Sequence, residues 1–169
     1  MIINLDNKYI IKQVSLEQCC DIEKLYGLCS DYHMICSGRE ANKQDVIDIF
    51  IYTEKKTIED SLTLGIYESN ELVGLIDIFK NYPKINTWSI GLLLLAPSKR
   101  GNKLGSLVHE GLKKHALGSG ADTFSIGVLE GNILAHKFWG LLGYSKVKES
   151  NIIFGENKHR VYVYELRLS

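Results

Sequence analysis

Three cations and two glycines crowd one short stretch, Ser98-Lys-Arg-Gly-Asn-Lys-Leu-Gly-Ser106: Lys99, Arg100 and Lys103 with Gly101 and Gly105. The chemistry suited to such a set is anion binding, above all of a phosphate or pyrophosphate. Ile90 to Leu95 reads as a buried strand stopped by Pro97, and Leu104, Leu107, Val108, Leu112 and Ala116 recur at helical spacing beyond the turn. A helix opened in this way presents N–H groups without internal partners and the positive end of its dipole. Gly101 and Gly105 let backbone approach a ligand closely. An ordinary strand–helix connection with a solvated basic loop leaves the same trace, because short glycine patterns are weakly specific.

The remaining reactive side chains are sparse. Asp77 lies in Leu75-Ile-Asp-Ile-Phe79, a carboxylate within an apolar strand. Desolvation there would raise its pKa into the range useful to a general base, although a structurally hydrogen-bonded aspartate fits the same pattern. His109 and His136 follow helical spacing and read as surface or capping histidines. Cys19, Cys20, Cys29 and Cys36 show no paired metal spacing and are too few for a disulfide framework. They read as reduced thiols packed in helices, and no metal site is expected.

Leu94-Leu-Ala-Pro-Ser-Lys-Arg-Gly-Asn-Lys-Leu-Gly105 resembles the acyl-CoA-binding motif of the GNAT superfamily of N-acetyltransferases, Gln/Arg-x-x-Gly-x-Gly/Ala. Arg100 and Gly105 fill its first and last positions, and Lys103 stands where the middle glycine belongs. A second segment, Asn132-Ile-Leu-Ala-His-Lys-Phe-Trp-Gly-Leu-Leu-Gly-Tyr144, resembles the family's Asn-x-x-Ala-x-x-Phe-Tyr-x-x-x-Gly-Phe at Asn132, Ala135, Phe138 and Gly143. The resemblance implies that CoA lies between two splayed parallel strands, here those ending at Leu95 and Val128. Main-chain groups of Leu93, Leu94 and Leu95 would hold the pantetheine arm and thioester carbonyl. The turn Arg100, Gly101, Asn102, Lys103, Leu104, Gly105 and Ser106 would hold the pyrophosphate. Asn132 would bond the pantetheine, and Lys137 would reach a phosphate or solvent. Asp31 and Tyr32, with His33, would border the acceptor pocket.

The acid–base residues do not carry over from the family. Trp139, beside the cofactor, replaces the tyrosine that protonates the leaving thiolate in many relatives. Ser89 and Gly91 replace acidic residues, and Gly127 sits where some relatives place a glutamate. The activity implied is transfer of an acetyl group from acetyl-CoA, as co-substrate, to a primary amine of a small molecule or peptide. Attack would be direct, in a ternary complex. Lys103 and Trp139 favour the alternative, a non-catalytic acyl-CoA sensor.

The elements that must position these residues follow from periodicity. Tyr9 to Val14 reads as a strand, and Ser15 with Gln18 forms a capping box opening a helix to about Gly27. Leu28 to Cys36 has no clear period. Asn42 caps a second helix expected to run to Lys55-Lys56. Leu62 to Glu68 and Leu72 to Phe79 flank a Ser69-Asn70 hairpin turn, and Trp88 to Leu95 is the third strand of that set. A helix from Leu104 to Gly118, a strand Thr123 to Val128 and a helix Asn132 to Leu142 come next. Strands Tyr144 to Lys148 and Val161 to Leu168 close the chain, the last alternating like a half-exposed edge available to a homodimer. The class is mixed α/β: a mostly antiparallel sheet with one splayed parallel pair and flanking helices.

With 169 residues the chain reads as one domain, 1–169. Twenty basic residues balance twenty acidic ones, which argues against a nucleic-acid or anionic-membrane surface. No apolar run approaches the ~18 residues of a membrane span. Met1-Ile-Ile-Asn-Leu-Asp-Asn7 does not have the form of a secretory signal, so a cytoplasmic protein is expected.

Overall fold

The computed structural model describes residues 1–51, 59–154 and 156–169. An eight-stranded sheet is built in the order β1-β2-β3-β4-β5-β6-β8-β7. Its strands are β1 (Ile2–Asn4), β2 (Tyr9–Gln13), β3 (Ser61–Glu68), β4 (Glu71–Lys80), β5 (Thr87–Leu95), β6 (Thr123–Leu129), β7 (Ser145–Phe154) and β8 (Asn157–Arg167). All neighbours are antiparallel except β5 and β6. The mixed α/β plan expected from the sequence is the one observed.

Helices cover both faces. On one lie α1 (Cys19–Leu28), α2 (Ser30–Ser37) and α3 (Lys43–Asp48). Ile22, Leu25, Tyr26, Val46 and Ile49 from this side pack on Tyr67, Leu75 and Leu94 of the sheet. On the other lie α4 (Leu104–Gly118) and α5 (Ile133–Leu141). Leu104, Val108, Leu112, Ala116 and Trp139 there bury Ile66, Ile76, Ile78, Ile90, Phe124 and Ile126. Central strands covered on both faces read as nearly continuous apolar runs, which is why β4 buries seven consecutive residues, Leu72 to Ile78.

Local chemistry sets the boundaries. Ser15 and Gln18 form the expected capping box, closing a short 3-10 turn, Leu16–Gln18, ahead of α1. Asn42 caps α3 through the amides of Gln44 and Asp45. Ser69 takes a left-handed backbone at the β3–β4 turn.

Several expectations need correction. The ambiguous stretch after Gly27 is a separate helix, α2, ended by left-handed Gly38. Helix α3 stops at Asp48 rather than continuing, and the remainder of its expected extent, 52–56, lies outside the described residues. A short first strand, β1, also joins the sheet. The largest correction concerns the last strand. β8 lies between β6 and β7 and is no edge, so the expected pairing surface for a dimer is already occupied. Its alternation arises because Tyr164 and Leu166 face the α4–α5 core while Val161 faces the α2 side. The sheet's edges are β1 and β7. Among the described residues no helix is long and apolar enough to cross a membrane.

Candidate functional site

The parallel pair creates the site by parting. β5 and β6 are paired only from Thr87↔Thr123 to Ile90↔Ile126. Beyond that, β5 stays bonded to β4 as far as Leu95, and β6 to β8 as far as Leu129. The cause is local. On β5 the register with β4 slips between Leu92 and Ile90, leaving Gly91 as an extra residue, and such bulges bend a strand and raise its twist. A Cβ at Gly91 would lie 2.7 Å from the Phe79 ring, so glycine is the residue that fits the bend. The facing edges of Gly91–Leu95 and Gly127–Leu129 thus carry backbone groups without a ladder between them. Polar backbone in such a place calls for a partner.

Between the strands runs a cleft of about 270 Å³ that passes through the sheet. Ile126, Val128, Asn132, Ala135 and Trp139 wall it on the α5 side. Tyr32, Cys36, Leu129, Ile152 and Val161 wall it on the α2 side, with Ser89 and Leu93 between. Leu93 is therefore on the cleft, whereas the Leu94 side chain is core beneath α1 and only its backbone lies on the strand. Asn132 caps α5, accepting from the Ala135 amide at 3.1 Å. Lys137 is exposed on the outer face of that helix.

At the same end of β5, the basic turn leads into α4. The turn runs through a 3-10 segment, Pro97–Lys99, into left-handed Gly101 (φ 77°) and left-handed Lys103 (φ 61°). Lys103 is the N-cap of α4 and provides no side-chain cap, so the first amides of a 15-residue helix have neither an intrahelical partner nor a capping side chain. Asn102, Lys103 and Ser106 are exposed and Leu104 is buried. Gly105 serves packing: a Cβ there would meet the Phe138 ring at 3.0 Å, so glycine lets α4 and α5 close on each other.

The three cations of the turn are not equivalent. Lys99 is paired with Glu68, which Lys8 also contacts, and the Lys8 and Lys99 ammonium groups together hold the Glu68 carboxyl at about 2. Arg100 forms a two-point pair with Asp31 at the start of α2, and its Nε donates to the Leu95 carbonyl at 2.9 Å. The guanidinium hydrogen bond keeps the Asp31 carboxyl below its ordinary range. Asp31 and Arg100, read from sequence as belonging to different halves of the site, are in direct contact. Lys103 remains exposed and makes no ion pair among the described residues.

On the α2 side, Tyr32 lies on the cleft wall and its ring sits against His33, 5.3 Å between centroids. His33 is buried, also packs on Tyr26, and its pKa is lowered by desolvation. Asp77 is not on the cleft wall. It is buried under α1, accepts from Thr63 Oγ1 at 3.1 Å, and its charge helps raise the Tyr26 hydroxyl, which burial raises first.

Trp139 is buried at the cleft's inner wall, stacked edge-on with Tyr144 and Phe138. His109 is buried behind it rather than on the surface, with Nε2 3.0 Å from the Tyr144 hydroxyl. Burial pushes His109 down to about 4, so it is a neutral packing group. His136 also departs from the surface reading: it is half-buried, bridging the Tyr164 hydroxyl (2.8 Å) and the Leu129 carbonyl (3.0 Å). Helical spacing alone could not show that these rings turn inward. The four cysteines are unpaired, and no group of three or more His, Cys, Asp or Glu is placed to hold a metal among the described residues.

The model of the acetyltransferase (GNAT) family matches residues 23–144. The chain belongs to the GNAT family. Solved structures of GNAT-type acetyltransferases superpose over nearly all of it. An acetyltransferase from Thermus thermophilus is 20% identical, with a TM-score of 0.76 over 98% of this chain and 100% of that one. A Salmonella typhimurium acetyltransferase, which modifies the N-terminal serine of ribosomal protein L7/L12, reaches 0.81 at 12% identity, covering 100% of both chains. The PaiA N-acetyltransferase of Thermoplasma acidophilum, solved in complex with coenzyme A, reaches 0.66 at 16% identity over 94% and 98%. At these identities the structural likeness speaks to fold alone. No curated protein sequence matches the chain.

Proposed function

We propose that this GNAT protein transfers an acetyl group from acetyl-CoA to a primary amine, by direct attack of the amine on the thioester within one ternary complex. The new C–N bond replaces the C–S bond, the CoA thiolate departs, and the amine's extra proton passes to water or a nearby base. The observation that carries this reading is the parting of β5 and β6 after Ile90 and Ile126, at the end where α4 opens without a cap. Leu93 and Asn132 border the slot that would take the pantetheine, and the unladdered strand edge continues through Leu94 to Leu95. The turn amides from Gly101 to Ser106 and the exposed Lys103 lie where the pyrophosphate would rest. The amine enters from the α2 side, past Tyr32 and Cys36.

Trp139 has no acid proton to give at useful pH, so the reading relies on the good leaving ability of a thiolate rather than on a tyrosine. Asp77, buried off the cleft, could act only through an intervening water. A small molecule or a peptide N-terminus would fit as acceptor. The ribosomal-protein activity of the Salmonella relative supports the second only as a fold-level analogy.

Thermal unfolding with acetyl-CoA, CoA and ATP tests the binding half. At about 100 times its Kd a ligand stabilises a fold by roughly 2.7 kcal/mol. Acetyl-CoA should raise the midpoint and ATP should not, after which thiol release with a panel of amines reports turnover. A midpoint indifferent to every CoA species would remove the proposal. Binding without thiol release from any amine would leave the sensor reading instead.

A further inference from the structure

Arg100 departs furthest from what its motif position implies. Its guanidinium is already engaged on two sides, by the Asp31 carboxylate and by the Leu95 carbonyl. The Leu95 carbonyl also accepts from Cys29 Sγ at 3.5 Å. Cys29 is the joint between α1 and α2, Asp31 sits in the first turn of α2, and Leu95 ends β5. Together the three contacts fasten the start of α2 to the segment joining the slot strand to the phosphate turn. Along the same helix, α2 brings Tyr32 and Cys36 onto the cleft wall.

We propose that Arg100 is a positioning residue for the acceptor side of the cleft, strapping α2 in place through Asp31. The phosphates are then held without it, by the turn amides and Lys103. This rests on the acetyltransferase reading above. The planar guanidinium fork matches a carboxylate at two points, and the Nε bond to Leu95 fixes the plane so that the fork faces α2. A phosphate recruited to Arg100 would have to displace Asp31 from that fork. Lys103 at the same turn is exposed and has no such competitor among the described residues.

The test separates acetyl-CoA affinity from acceptor use. Asp31→Asn, Arg100→Lys, Asp31→Glu and Lys103→Gly are compared by calorimetric titration with acetyl-CoA and by thiol-release kinetics at saturating acetyl-CoA, with the amine of the panel above that the wild type acetylates fastest as acceptor. Hydrogen exchange of residues 30–37 is followed in the unliganded proteins. Asp31→Asn and Arg100→Lys should leave the acetyl-CoA Kd within about twofold yet raise acceptor KM roughly tenfold, since small misplacements of a positioning wall are expensive. Both should speed exchange in α2, and Asp31→Glu, which retains a carboxylate, should recover most of the loss. Lys103→Gly should weaken acetyl-CoA binding instead. A tenfold loss of acetyl-CoA affinity in Arg100→Lys, with Asp31→Asn at the wild-type value, would make Arg100 a phosphate ligand and overturn the proposal. Unchanged α2 exchange in both variants would overturn it too. Failure of the wild type to bind acetyl-CoA would strike the acetyltransferase reading, and the exchange comparison would still decide whether the strap holds α2.

Discussion

Lys103 holds a left-handed backbone (φ 61°, ψ 4°) at the start of α4, where its relatives' motif has glycine. For a residue with a Cβ this conformation costs about 1–2 kcal/mol. Lys103→Gly removes that strain but gives back roughly 0.4–1 kcal/mol through the greater freedom of glycine in the unfolded chain. It also removes a cation from the positive end of a helix, a gain of about 0.3–1 kcal/mol at low salt. The net expectation is a stabilisation of about 1 kcal/mol, or a rise of about 2–4 °C in Tm for a chain of this size. Urea denaturation of wild type, Lys103→Gly and Lys103→Ala at low and high salt measures it. The alanine variant loses the charge but keeps the Cβ, so the glycine–alanine difference is the strain less the unfolded-chain contribution, about 0.5–1 kcal/mol in favour of glycine, and it should persist in salt. Equal stability of the two variants would refute the reasoning: either Lys103 is not left-handed in solution or the strain is relieved elsewhere.

Three more expectations follow from the same geometry. His109 titrates near 4 when folded because it is buried, against an ordinary 6.5. As pH falls the unfolded chain takes up that proton first, so stability present above 6.5 is lost between about 6.5 and 4, by roughly 3 kcal/mol. Unfolding free energies across this window should fall more steeply for wild type than for His109→Gln, and parallel curves would contradict the assignment. Gly91→Ala places a methyl 2.7 Å from the Phe79 ring. It should cost about 1–3 kcal/mol by overpacking and weaken acetyl-CoA binding, read by denaturation and calorimetry, with a variant of wild-type stability as the adverse result. Asn132→Ala removes the α5 cap and should cost about 1 kcal/mol, whereas Asn132→Asp, which keeps the acceptor oxygen, should recover it; chemical denaturation of the two variants compares them.

Much of this architecture is legible in the sequence because its signals are local. The Ser15–Gln18 capping box, the Asn42 cap, a hairpin turn, helical spacing from Leu104 and the glycine after Leu142 are written within a few residues of the structure they specify. β1 is hidden because three residues carry no period, and α2 because its inward residues, Tyr32, His33 and Cys36, are not a conventional apolar stripe. The place of β8 is not legible at all: alternation tells which residues share a face, never which strand lies alongside. His109 and His136 mislead for a related reason, since a polar ring on a helix turns inward only where a distant hydroxyl or carbonyl receives it. The Arg100–Asp31 pair, 69 residues apart in the chain, leaves no trace in either neighbourhood.

The two halves of the site therefore differ in what they are made of. On the proposed reading the cofactor half is mostly main chain: two strand edges parted by the bulge at Gly91, and the uncapped amides of α4. It asks little of the sequence beyond Gly91 at the bend, a residue that tolerates the left-handed turn at 101, and Gly105 where α4 meets Phe138. Such modest demands are consistent with a fold shared by structures only 12–20% identical to this chain. The half proposed for the acceptor is made of side chains, Tyr32, Cys36, Leu129, Ile152 and Val161, carried on α2, β6 and the β7–β8 hairpin. Nothing in the fold fixes their identity, so substrate choice can drift there while the slot persists. In the proposed mechanism the Arg100–Asp31 pair is the tie between the backbone frame of one half and the side-chain wall of the other, and it would keep amine and thioester in register whatever the wall recognises.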